Sequence, residues 1–285
     1  MTVRKLIITC ITTWLASLAF GQQTPAEMAQ PIVEEGKRLY RSEMASWYGT
    51  DIFLEKFKDR SRIGGYFSYM ENDIAKCIFF SKSDQPVVLG QISFDSTYST
   101  DYAVINLDER AFNPYEKNLY AIRKIALGEL NGDTALFKRY NNINFNIIPL
   151  INGDDRKVYV LSGPQQNGVV IFGNDYLLTF DKDNQLASKK QLHKNIIPIN
   201  FGEKDTEGKN IEQTMHTHLP ETGEFITATD ICTLMLYGKF TGWRQHNVVS
   251  KEYFNVWQCS TNSLFVIPMS TIEKINKDQE KRHKN

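Results

Sequence analysis

Short apolar runs separated by turn residues recur along most of this chain and leave room for little except a strand-rich fold. In the second half, residues 145–151, 157–161, 168–172, 176–180 and 192–199 are five such runs. Asn152-Gly153-Asp154-Asp155 and residues 181–184 divide them with side chains suited to tight turns. Residues 248–249, 253–259 and 264–267 continue the series, and 66–69, 77–80, 87–92 and 102–105 form a matching set in the first half.

Helical spacing interrupts the strands. Residues 31–47 carry Ile32, Leu39, Tyr40 and Met44 on one side, with Gly49-Thr50-Asp51 read as the break. Residues 114–140 carry Leu119, Ile122, Ile125 and Ala126 at helical intervals, with Gly128 or Asn131-Gly132-Asp133 dividing them. A short helix is expected at 227–237. Residues 271–285 read as a solvated helix or tail, with Glu273–Lys277 and Glu280–Lys284 at i,i+4 spacing. The class is therefore α+β. A change of texture near Asn142 divides the chain into a first region, 22–141, a second domain, 142–269, and a charged tail, 270–285.

Residues 1–21 are set apart as a secretory signal. Arg4 and Lys5 precede an uncharged, mostly apolar run at 6–20, and Ala19-Phe20-Gly21 supplies small residues for cleavage before Gln22. That run is shorter than the ~20 residues a membrane span needs. The expectation is export to the periplasm or the medium, with no transmembrane span in the mature chain. Cleavage removes two basic residues and no acidic one, leaving 31 basic against 33 acidic side chains. So even a balance disfavours nucleic acid as a partner, because phosphate affinity needs uncompensated Lys and Arg. The mature chain keeps Cys77, Cys232 and Cys259. Cys232 and Cys259 either pair or remain buried thiols; three scattered cysteines make no disulfide framework, so the fold must rest on its core.

No phosphate-binding Gly-Lys-Ser/Thr loop, Gly-x-Ser-x-Gly elbow or Cys-x-x-Cys pair is present. The concentrated signal is Met215-His216-Thr217-His218-Leu219-Pro220, followed by Thr227-Ala228-Thr229-Asp230. On an extended backbone residues i and i+2 face the same way, so His216 and His218 can aim at one ion. Pro220 ends the strand, and a helix starting near Thr227 offers Asp230 from its first turn. Two imidazoles and a carboxylate leave a fourth tetrahedral position for water, the ligand plan of a catalytic zinc. Thr227 and Asp230 also make an ordinary helix capping box, which would account for Asp230 by itself.

This order of residues resembles the JAMM (MPN-type) metallo-isopeptidase motif, His-x-His-Pro followed by Ser-x-x-Asp. The resemblance covers about residues 142–269 and implies a cytidine-deaminase-like α/β domain. It implies one zinc ion held by His216, His218 and Asp230, with Thr227 standing for the serine that stabilises the oxyanion. Leu219 shifts the proline and the aspartate one residue later than the family has them. The family's catalytic glutamate falls at Gln165 here, or at Asp175 in a looser register, and Gln cannot take a proton from water. Glu203 and Glu212 are further base candidates. His193, on an expected strand near the site, reads as an ordinary half-exposed strand histidine, with a further polar group of the site as the alternative. The resemblance implies an exported zinc hydrolase of amide or isopeptide bonds, acting on a peptide or protein such as a cell-wall peptide. The alternative is a non-catalytic binding or assembly protein on the same fold.

Overall fold

The computed structural model describes residues 23–202 and 210–283. The signal-like segment 1–21 and Glu203 lie outside the described residues. The architecture is α+β. Helix α1 runs over Pro25–Lys56, earlier and longer than the spacing predicts, because Thr24 caps it reciprocally with Glu27 and Pro25 takes its first turn. Gly49 does not break it. A Cβ there would stand 2.8 Å from that of Cys77, so the glycine permits close packing in mid-helix. Phe53, farther along α1, is fully buried and stacks on Phe79 at 3.9 Å, whereas Trp47 is exposed.

Strands β1 (Ile63–Glu71), β2 (Ile74–Ser81), β3 (Val88–Phe94) and β4 (Val104–Asn106) form an antiparallel meander. Helix α2 (Pro114–Gly132) follows, capped by Asn113 and Glu116; it passes through Gly128 and stops at Gly132. Strands β5 (Ile143–Asn152), β6 (Asp155–Pro164), β8 (Tyr176–Phe180) and β9 (Leu186–Gln191) make a second antiparallel sheet, while β7 (Val169–Gly173) pairs with β10 (Ile196–Asn200). The run expected at 192–199 is therefore not one strand. Residues 192–195 form the loop between β9 and β10. Strand β9 itself escapes the apolar pattern because it is a polar edge strand bearing Lys189 and Lys190.

The last sheet positions the site. Strand β11 (Gln213–Thr217) lies parallel to β12 (Gln245–Val249), joined through helix α3 (Ala228–Thr241). Strands β13 (Tyr253–Gln258) and β14 (Ser263–Pro268) complete it, and helix α4 (Met269–His283) ends the described chain. Helix α1 packs along α3: Gly36 sits where a Cβ would be 2.7 Å from the Cβ of Ile231. One core joins Leu39, Met44 and Phe53 to Ile148, Tyr159, Cys232 and Leu236, so apolar packing runs across Asn142. Cys77, Cys232 and Cys259 are all free thiols. No helix among the described residues is long and apolar enough to cross a membrane.

Candidate metal centre

His216 and His218 leave β11 and its end on one face, as the i,i+2 spacing predicts, and both are buried. Asp230 comes from the first turn of α3 and is buried beside them. A third imidazole joins the cluster. His193, expected to be half-exposed on a strand, is buried in the β9–β10 loop, and its Nε2 lies 3.1 Å from Nε2 of His218. The loop is clamped by backbone bonds from Leu192 to Asp175 (2.9 Å) and from Asn174 to Asn195 (3.1 Å). Gly173 makes this possible: its φ is +76°, and a Cβ there would sit 2.1 Å from the Asn195 carbonyl oxygen.

The ligand atoms of His193, His216, His218 and Asp230 all lie within 4.8 Å of one another. Asp230 Oδ2 is 3.3 Å from His218 Nε2 and 3.6 Å from His193 Nε2, and Oδ1 is 3.7 Å from His216 Nε2. Zinc bonds of about 2.0–2.1 Å place tetrahedral ligand atoms roughly 3.3 Å apart, close to these separations. His216 Nε2 is buried and has no hydrogen-bond partner in the protein, which is the state of a nitrogen suited to a cation. His218 offers Nε2 to the cluster, and its Nδ1 is buried without a partner. Two carboxylates, Asp175 and Asp230, match the charge of a divalent ion. These four residues could hold a metal ion.

Outer contacts aim two of the rings. Asp175 Oδ1 accepts from His193 Nδ1 at 2.8 Å and from the His193 backbone at 3.1 Å, while its Oδ2 accepts from the Thr229 hydroxyl. That carboxylate fixes His193 with Nε2 turned inward. His216 Nδ1 is 2.9 Å from Nε2 of His246, whose Nδ1 is 2.7 Å from the Thr214 hydroxyl. Burial pushes His246 down to about 3 and His216 down to about 4, each against the pull of Asp230. Burial would lower His193 too, but Asp175 and Asp230 outweigh it and hold the ring well above the usual imidazole range. Asp230 is held well below the carboxylate range, since His193 and His216 override its burial.

The other expected residues take different places. Thr227 caps α3, and its hydroxyl donates to Asp230 Oδ2 at 2.8 Å, so it orients that ligand. Gln165 is exposed, and its amide donates to Asn144 at 2.6 Å. It is not joined to the cluster. Asp175 supports His193 and does not stand free as a base. Glu212 is exposed and pairs with Arg244. Sequence reasoning missed His193 as a ligand and His246 as its neighbour's support. The signal available was clustering, since four of the five histidines fall between residues 193 and 246.

Comparison of the chain with protein-family models, with curated proteins and with solved structures returned no match in any of the three.

Proposed function

We propose that this chain is an exported, zinc-centred binding or assembly protein with a JAMM-like motif and, among the described residues, no free hydrolytic base. The carrying observation is His193. With its Nε2 3.1 Å from His218 and 3.6 Å from Asp230, it brings the candidate protein ligands to four. A closed four-ligand set is the plan of a structural zinc, whereas a catalytic one keeps a position for water. Bound there, zinc would supply coordinate bonds that staple the β9–β10 loop, β11 and α3 together. Three nitrogens and one oxygen, buried within 4.8 Å of one another, suit zinc better than the oxygen-seeking Mg2+ or Ca2+. The partner class in this reading is a peptide or protein. Export rests on residues 1–21, and its check is an intact mass beginning at Gln22; a chain retaining Met1 in an exporting host would refute it.

A second reading, hydrolysis of a peptide amide or isopeptide bond, draws support from a cavity of about 410 Å³ beside the cluster. Its wall includes Thr227 and Leu192, the neighbours of two ligands. Water would then have to displace one protein ligand. The cavity's carboxylates are also already engaged, Glu35 by Lys157 and Tyr159 and Glu224 by the Glu252 backbone.

Cobalt substitution separates the two. A closed site gives intense four-coordinate visible bands that added azide leaves unchanged, and His193→Ala makes them azide-sensitive. Bands that azide shifts in the unmodified protein would favour the hydrolase, and a peptide-cleavage screen would follow. Failure to bind cobalt or zinc would sink both.

A further inference from the structure

We infer that His246, steadied by Thr214, is a positioning residue that fixes the ring of His216 for the metal. This rests on the metal reading above and extends it to residues outside the ligand set. The parallel register of β11 and β12 sets His246 opposite Thr214, two residues before His216, so the three side chains share one face of the sheet. His246 is fully buried and stacks on Phe172 at 4.7 Å and 13°, with Trp243 at 6.2 Å. Its two side-chain hydrogen bonds are to His216 and Thr214.

The proton count gives the chain of bonds a direction. For His216 to offer the Nε2 lone pair, its hydrogen must sit on Nδ1, and Nδ1–H then donates to Nε2 of His246. His246 must in turn carry its hydrogen on Nδ1 and donate to the Thr214 hydroxyl oxygen. Each bond then has one hydrogen and one lone pair. The reverse order would place a hydrogen on His216 Nε2, a buried atom that has no acceptor in hydrogen-bond reach.

The choice of imidazole also has a reason in charge. His193 is oriented by a carboxylate, Asp175. With Asp230 that already supplies two negative charges, enough to match a divalent ion. A carboxylate at position 246 would add a third, buried and uncompensated, whereas neutral His246 orients His216 without adding charge.

Two substitutions separate positioning from packing. His246→Phe keeps the ring volume and the stack on Phe172 but removes the acceptor. His246→Gln replaces the ring with a shorter amide that can accept again. Zinc affinity, measured against a chromophoric chelator at fixed pH, should fall about 10–100-fold in His246→Phe. It should recover at least partly in His246→Gln, and the cobalt spectrum should weaken and recover in parallel. Thr214→Val should cost less than His246→Phe. Wild-type affinity in His246→Phe, or a Gln variant no better than Phe, would overturn the inference. Loss of folding in His246→Phe would leave His246→Gln and Thr214→Val to decide it, and wild-type affinity in Thr214→Val together with loss in His246→Gln would count against it. If the unmodified protein binds no zinc, the metal reading itself has failed and this inference falls with it.

Discussion

At the residue scale, behaviour turns on the protonation of one buried cluster. In the metal-free protein His216 and His246 stay neutral, pushed down to about 4 and about 3 mainly by burial. In the unfolded chain both take up protons near 6.5. Between those values the unfolded state binds more protons, so stability falls as the pH drops. His193 works in the opposite direction. Its raised value contributes stability that is fully present below 6.5 and lost as the pH rises through its folded value. Asp230, held low, contributes above 3.8 and loses that only in stronger acid. Chelated protein should therefore melt at its highest temperature at about pH 6–7, with a fall on each side. Added zinc should remove the alkaline fall, because the ion replaces the proton on His193. Melting curves from mildly acid to mildly alkaline pH check this; a chelated protein that grows steadily more stable toward alkaline pH would contradict it.

The same cluster shows what a sequence can disclose about a site. His216, His218 and Asp230 are legible because each depends on local rules: alternation along a strand and the first turn of a capped helix. His193 and His246 are not, because contacts distant in sequence bring them in. His193 is delivered by a loop that hangs on the Gly173 turn, and His246 by the parallel pairing of β11 with β12. Asp175 is legible as a carboxylate in the right neighbourhood. Its bond to His193, which gives it a different task, is not.

At the scale of elements, the helices are easier to read than their limits. Glycine reads as punctuation, yet Gly49 and Gly36 lie inside α1 because neighbours crowd them, and Gly128 lies inside α2 with open space where a Cβ would point. These positions predict opposite outcomes for one substitution. Gly128→Ala should stabilise by about 0.5–1 kcal/mol through helix propensity alone. Gly36→Ala gains the same propensity but drives a methyl against Ile231 and the Ala228 carbonyl oxygen, 3.0 Å away. Overpacking costs about 1–3 kcal/mol, so the net effect should be destabilising. Denaturant unfolding of both variants checks the pair, and equal shifts would show that α1 and α3 are not tightly packed.

At the scale of the whole molecule, α1 belongs to both parts of the chain. Val33 packs with Ile231, Leu234 and Trp257, and Leu39 with Tyr159 and Cys232. A fragment of residues 142–285 would leave those faces of α3 bare, and α3 carries Asp230. Expressed alone it should lack a cooperative thermal transition and bind zinc more weakly than the full chain; a fragment that melts cooperatively and keeps full affinity would mean the second half folds by itself. The strand-rich pattern and the two long helices are enough to read the α+β class from sequence. The sharing of one core across Asn142 depends on tertiary packing that no local pattern encodes.

Metal content decides whether His193, His216, His218 and Asp230 form a closed four-ligand centre. Protein purified without chelators or a histidine tag should carry about one zinc per chain. Beside it, His193→Ala and His218→Ala should each lose affinity at least tenfold in chelator competition. An unmodified protein without zinc, even after zinc is offered at neutral pH, would contradict the account, as would a His193→Ala variant that binds as tightly as the original.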